Sequence, residues 1–236
     1  MLRTIVSIDA GLLSLIILLS ADLACAELPP EFDRSDELYQ LGLLDVTKAP
    51  YTADPTGETD STAAIQRAVN DARDHALVCF FPEGTYLISD QISCEQQVRK
   101  LDRPRYTDGR TQHYWDLSHR IVVFGSGKGR RPVIRLSDDA KGFDDPNKPK
   151  VAIWIWAQTR HDAPGKEEPN WGEEQPNISF SHVFKGIDID IRGHAGAIGL
   201  RHSGSQGSTM LDCTVHADGA FAGFSNCCGQ GGGTYN

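Results

Sequence analysis

The first chemistry the sequence offers is a set of carboxylates in a stretch of short apolar runs: Asp188, Asp190, Asp212 and Asp218. Asp188 and Asp190 alternate by two, so on a strand they share a face and stand roughly 7 Å apart. Inverting glycoside hydrolysis needs an acid and a base about 6.5–9.5 Å apart. Asp188 and Asp212 would lie on adjacent layers if the chain coils with their 24-residue spacing. Like-charge proximity in either pair would raise one carboxyl pKa. Asp at strand ends is also a turn-capping residue, and that is its commoner use.

Arg201 and His202 stand on a predicted strand beside the Gln206 turn, where a neutral imidazole could bind hydroxyls or move a proton. His202 meets Asn226 one period on, which suits a structural polar stack equally well. Trp154 and Trp156 share a strand face and could stack on sugar rings or pack against a neighbouring layer. Tyr114, Trp115 and Trp171 fall in predicted loops, where exposed rings would make better carbohydrate contacts. Proton abstraction beside a uronate would need clustered carboxylates for calcium and a basic residue. Asp138-Asp139, Asp144-Asp145 and the nearby Arg130, Arg131 and Arg135 supply the residue types, in sequence that reads as turns. No cysteine or histidine spacing matches a zinc site, and no resident metal or cofactor is expected. Gly125-Ser-Gly-Lys-Gly129 lacks the first Gly and the final Ser or Thr of a phosphate loop, so it reads as a turn.

Residues 1–26 read as a signal peptide: Arg3, the apolar run Leu12 to Leu19 and the small-residue Ala24-Cys25-Ala26 follow in the right order. The run is too short for a membrane span, so an exported, secreted or periplasmic protein is expected. The net charge of −9 carries no basic block, and nothing indicates a nucleic-acid partner. Cleavage after residue 26 would remove Cys25 and leave Cys79, Cys94, Cys213, Cys227 and Cys228, an odd set. Either Cys79 bridges Cys94, or the thiols are buried and reduced.

The elements that must position these residues are short. A polar leader (27–44) precedes a turn at Asp54-Pro-Thr-Gly57 and a helix starting near Asp60 or Ser61, with Ile65, Ala68, Val69 and Ala72 on one face. Strands are expected at Leu77–Phe81 and Thr85–Ile88 about the Pro82-Glu-Gly84 turn. Further strands are expected at Arg120–Phe124, Val133–Leu136, Val151–Trp156, Phe184–Ile191, Ala197–His202 and Met210–His216. Thr159–Gln175 reads as a long, charged, Pro-rich loop, either a surface excursion lining a groove or, more commonly, plain solvated loop. Ser205-Gln-Gly207 recurs as Gly229-Gln-Gly231, and Ile187, Leu211 and Tyr235 recur at the same 24-residue interval. A period in the low twenties with several strands per period predicts an all-β fold, a right-handed parallel β-helix with a short N-terminal capping α-helix.

Residues 45–92 resemble the start of the pectate-lyase superfamily domain of rhamnogalacturonase-like and epimerase-like proteins. The resemblance lies in Asp45-Val46, Asp54-Pro-Thr-Gly57, Thr59 to Gln66 and Phe81 to Ser89. It implies that the helix plugs the N-terminal end of the solenoid. Gly196 to His202, Ser205 to Leu211 and Gly229 to Gly233 look similar to the first β-helix of the family 55 exo-β-1,3-glucanases. By that resemblance Gln206 and Gln230 match positions that hold the attacking water. The family's catalytic acid lies in a second β-helix with no counterpart here.

The domain expected is therefore residues 45–236, an N-terminal part of a β-helix ending inside a coil. The function expected is a carbohydrate-active protein with a polysaccharide partner, a glycoside hydrolase on a β-glucan-type polymer. A lyase or hydrolase of uronic-acid polymers and a non-catalytic surface module are the alternatives. The segment alone is expected to be inactive, and prone to edge association if the last coil stays uncapped.

Overall fold

The computed structural model describes residues 32–101, 114–115, 119–161, 173–226 and 233–235. The signal peptide expected at 1–26 lies outside them. Helix α1 (Glu37–Gln40) and strand β1 (Leu43–Asp45) precede helix α2 (Thr62–Asp74). The chain then makes repeated three-strand turns. The first holds β2 (Val78–Phe81), β3 (Thr85–Ile88) and β4 (Ile92–Leu101), followed by the short β5 (Tyr114–Trp115). The second holds β6 (Val122–Gly125), β7 (Val133–Leu136) and β8 (Lys150–His161); the third holds β9 (Val183–Lys185), β10 (Asp188–Asp190) and β11 (Ala197–His202). The fourth holds β12 (Thr209–Leu211), β13 (Val215–His216) and β14 (Ala222–Ser225), and β15 (Gly233–Tyr235) opens another.

Strands of successive turns stack into three sheets: sheet A (β1-β2-β6-β9-β12-β15), sheet B (β3-β7-β10-β13) and sheet C (β5-β4-β8-β11-β14). All pairings are parallel except β4 with β5. The protein is an all-β parallel β-helix, as the repeat predicts.

Stacked inward side chains make the core. On sheet A, Leu44, Cys79, Val123, Phe184 and Met210 lie one above another and all are buried. Tyr86, Ile134 and Ile189 do the same on sheet B, and Ile92, Ile153 and Leu200 on sheet C. Cys79 and Cys94 are free, not bridged. Burial raises both thiol pKa values, that of Cys94 to about 12, and leaves them poor nucleophiles. A thiol reagent is therefore expected to modify neither in the folded protein and both after denaturation; rapid labelling under native conditions would contradict this packing.

Helix α2 closes the first turn. Ile65, Ala68, Val69 and Ala72 are its buried stripe, joined by Arg73. Ser61 does not cap it through its side chain. The Ser61 hydroxyl accepts from Asp54 N–H, and Asp60 Oδ1 accepts from Thr62 N–H instead. The open strand edges are satisfied one by one. Gln66 donates to Ser93 O and accepts from Ser93 N–H, Arg73 donates to Glu95 O, and Ser61 N–H donates to Leu87 O. An uncovered edge would be a template for association.

The stretch 27–44 is not wholly a leader, since β1 pairs in register with β2. The 24-residue period also needs correction. Leu211 lies opposite Tyr235 as expected, but Leu211 lies opposite Lys185 and His216 opposite Asp190, a spacing of 26. Ile198 returns to 24, opposite Ala222. The turn between sheets B and C is two residues shorter in the fourth turn than in the third. Among the described residues, no helix is long and apolar enough to cross a membrane.

Candidate functional site

The outer face of sheet C gathers the most chemically capable side chains. Within β8, alternation turns Ile153, Ile155 and Ala157 inward and Trp154 and Trp156 outward. The two indoles stack with centroids 4.5 Å apart and planes 11° from parallel. Arg201, opposite Trp154 in the register, lays its guanidinium over that ring at 5.7 Å. Arg201 Nη2 also donates to Glu174 Oε2 at 2.5 Å. Across the stack, Ser93 lies opposite Trp154 and Glu95 opposite Trp156. Trp156 Nε1 donates to Ser93 Oγ at 2.8 Å, and Gln158 Nε2 donates to Glu95 Oε1 at 2.6 Å. Trp156 is closed in at 7% exposure and Glu95 at 9%, while Trp154 and Arg201 are half-buried. The Trp154 Nε1 is buried and finds no hydrogen-bond acceptor among the described residues.

Two aromatic rings, a guanidinium, two carboxyl groups and an amide on one rigid face form a combination suited to polyhydroxylated ligands. Flat rings take the apolar face of a sugar, and the polar groups take its hydroxyls. Glu95 and Glu174 are the functional candidates that sequence reasoning missed. Glu95 sits in β4, a strand absent from the sequence pattern above, and Glu174 in the charged stretch 159–175. A run reading Ile-Ser-Cys-Glu-Gln-Gln-Val alternates from Ile92 to Val98 and could have revealed the first.

The other predicted residues are dispersed. His202 is not on the outer face with Arg201. It points inward, 6.2 Å from the ring of His182, because neighbouring strand residues face opposite ways. His182 Nδ1 accepts from Ile121 N–H at 3.0 Å, and its Nε2 lies 2.8 Å from Ser179 Oγ. His202 Nδ1 accepts from Gly204 N–H. Burial holds both imidazoles far below the usual histidine range, at about 3 for His182 and about 4 for His202.

Asp188 is on the outer face of sheet B, 3.0 Å from Arg131 Nε, and accepts from Thr214 N–H. Thr214, and not Asp212, lies above it, because the coil there advances by 26 residues. Asp212 occupies the exposed A-to-B corner at φ +52, where the previous turn has Gly186 at +69. Asp190 shares the face of Asp188 and pairs with Arg192 at 2.6 Å, a contact that holds its carboxyl below the usual range. Gln206 is exposed in the turn after sheet C, while Gln230 and Trp171 lie outside the described residues. Tyr114 and Trp115 form β5, not a loop. Asp144 approaches His194 Nδ1 at 3.3 Å, and Asp145 caps the turn at Asn147. Among the described residues, no three His, Cys, Asp or Glu side chains gather closely enough to hold a metal ion.

Residues 48–143 match the family described as rhamnogalacturonase A/epimerase, pectate lyase-like. No curated protein matches the chain. Among solved structures, it is similar to the ORF18 protein of Geobacillus virus E2, with 15% identity, a TM-score of 0.33, and coverage of 84% of this chain and 40% of that one. It is also similar to an iota-carrageenase complexed to iota-carrageenan fragments, with 12% identity, a TM-score of 0.29, and coverage of 73% of this chain and 37% of that one. The chain thus spans about two fifths of the length of each. The family match covers α2 and the strands β2 to β7, and the three stacked sheets make the chain a parallel β-helix.

Proposed function

We propose that the protein is an exported carbohydrate-active β-helix that engages a polysaccharide on the outer face of sheet C. The observation that carries this reading is the Trp154–Trp156 stack flanked by Arg201–Glu174 on one side and Ser93, Glu95 and Gln158 on the other. Hydrolysis of a glycosidic bond is the reaction this set serves best. It calls for two carboxyl groups, one to protonate the leaving oxygen and one to activate water or attack the sugar. In our reading those groups are Glu95 and Glu174, and the substrate is a neutral β-glucan-type polymer lying along the tryptophans. The domain is residues 45–236 together with β1, and a mature protein beginning at Glu27 would mark its export.

Because both carboxyl groups then stand on the chain itself and no acid from a second β-helix is needed, the expectation of an inactive segment is replaced. Sugar release from laminarin is expected, falling at least about ten-fold in both Glu95→Gln and Glu174→Gln. Ultraviolet absorbance from unsaturated uronates on polygalacturonate, with no release from laminarin, would overturn the hydrolase reading in favour of a lyase. Saturable binding without turnover would favour a binding module. That second reading is favoured by the Arg201 contact, which already occupies the Glu174 carboxylate.

A further inference from the structure

On a different wall of the solenoid, a groove of about 580 Å³ is lined by Pro55, Thr56, Glu83, Gly84, Thr85, Arg130, Arg131, Val133 and Asp188. Its floor is the outer face of sheet B, where Thr85, Val133 and Asp188 lie side by side across three turns. Its volume is within the range of small-ligand sites, roughly 300–1,000 Å³. Two adjacent arginines stand at its rim, each held at its Nε by a carboxylate. Arg130 Nε donates to Glu83 Oε1 at 3.1 Å. Arg131 Nε lies 3.0 Å from Asp188, and its Nη2 donates to Thr214 Oγ1 at 2.9 Å.

The two pairs differ in kind. Arg131 is fixed by Asp188 and Thr214, so its plane is set before any ligand arrives. Arg130 is 94% exposed and its partner Glu83 44%, and a pair that open to water contributes little. Arg130 can therefore turn its two Nη groups to an incoming carboxylate in the bidentate geometry that a guanidinium favours. The Glu83 carboxylate lies close against Gly129. A side chain on Gly129, which has φ +74, would overlap its Oε2.

We propose that this groove is a binding site for a carboxylate-bearing ligand, with Arg130 meeting the carboxylate, Arg131 orienting it, and Thr56 and Thr85 taking neighbouring hydroxyls. Glu83 acts as an internal competitor for Arg130. The site is independent of the sheet C face.

Titration calorimetry of the full chain at low salt tests it with three probes: a galacturonate trisaccharide, its carboxyl-reduced neutral counterpart, and citrate. Binding of either carboxylate probe is expected, with no binding of the neutral one. The trisaccharide alone would identify an acidic sugar as the source, and citrate a free carboxylate. Arg130→Gln should weaken binding at least about ten-fold, and added salt should weaken it further. Glu83→Gln should tighten it by about two- to five-fold, an effect a merely structural ion pair would not produce. Absence of binding by either carboxylate probe, equal binding of the neutral trisaccharide, or wild-type affinity in Arg130→Gln would overturn the proposal, whatever the sheet C face does.

Discussion

Between pH 6.5 and 4.5 the protein is expected to lose about 5 kcal/mol of folding stability, chiefly through His182 and His202. In the unfolded chain each imidazole takes up a proton near pH 6.5. In the folded protein they do so only at about 3 and about 4, because burial excludes the charged form. The unfolded state therefore binds more protons throughout this window, and stability falls as pH falls, by about 1.4 kcal/mol per pH unit for each histidine. The stability is fully present above pH 6.5 and is lost progressively toward the folded values. Asp54, Asp60, Asp90 and Asp190, whose carboxyl pKa values are lowered in the fold, add their own losses only below about pH 4.

Urea unfolding at half-unit pH steps measures the slope. His182→Asn should halve it between pH 6.5 and 4.5, while costing about 1–3 kcal/mol at pH 7 for the lost bonding to Ile121 and Ser179. A wild-type curve that is flat over this interval would show that the imidazoles are not buried neutral.

Trp154→Ala is expected to weaken polysaccharide binding by about 30-fold, the roughly 2 kcal/mol typical of a central aromatic contact. Trp154 is the more open ring of the stack, half-buried where Trp156 is enclosed, so it is the ring a sugar can reach. Trp156 is enclosed and bonded to Ser93, and its loss should be read first as instability. Trp154→Phe keeps a flat face and should recover most of the affinity. Equal weakening by Phe and Ala would mean that the indole serves packing and not recognition. Thermal unfolding of the same variants separates the two effects.

Much of the fold was legible because local signals agreed. The Ile65, Ala68, Val69 and Ala72 stripe gave α2, and the Pro82-Glu-Gly84 turn gave the strands on either side. Strand β4 escaped because Ser93, Glu95 and Gln97 make it look like a polar loop. It is one of the five strands of sheet C, and its edge is completed by the Gln66 amide.

The tryptophan pair and Arg201 could be read from alternation alone. His202 could not share their face for the same reason, and its real neighbour, His182, is 20 residues away in sequence. Near Gly199 the strict alternation breaks. A Cβ there would strike Val215 and Gly223, yet Leu200 is buried as well. The Asp188–Asp212 stack failed on register. Sequence shows that a coil repeats, but a two-residue difference in one turn decides which side chains meet, and only the backbone pairing at Asp190 and His216 fixes it. Glu174 reaches Arg201 by a contact 27 residues distant, which no local pattern encodes.

Hydrogen–deuterium exchange of the full chain, with and without a bound oligosaccharide, locates the carbohydrate face most directly. Slower exchange is expected in peptides covering Ser93–Gln96, Trp154–Gln158, Glu174 and Arg201, with the outer strands of sheet A unchanged. Saturable binding with no protection in those peptides would contradict the assignment of the sheet C face.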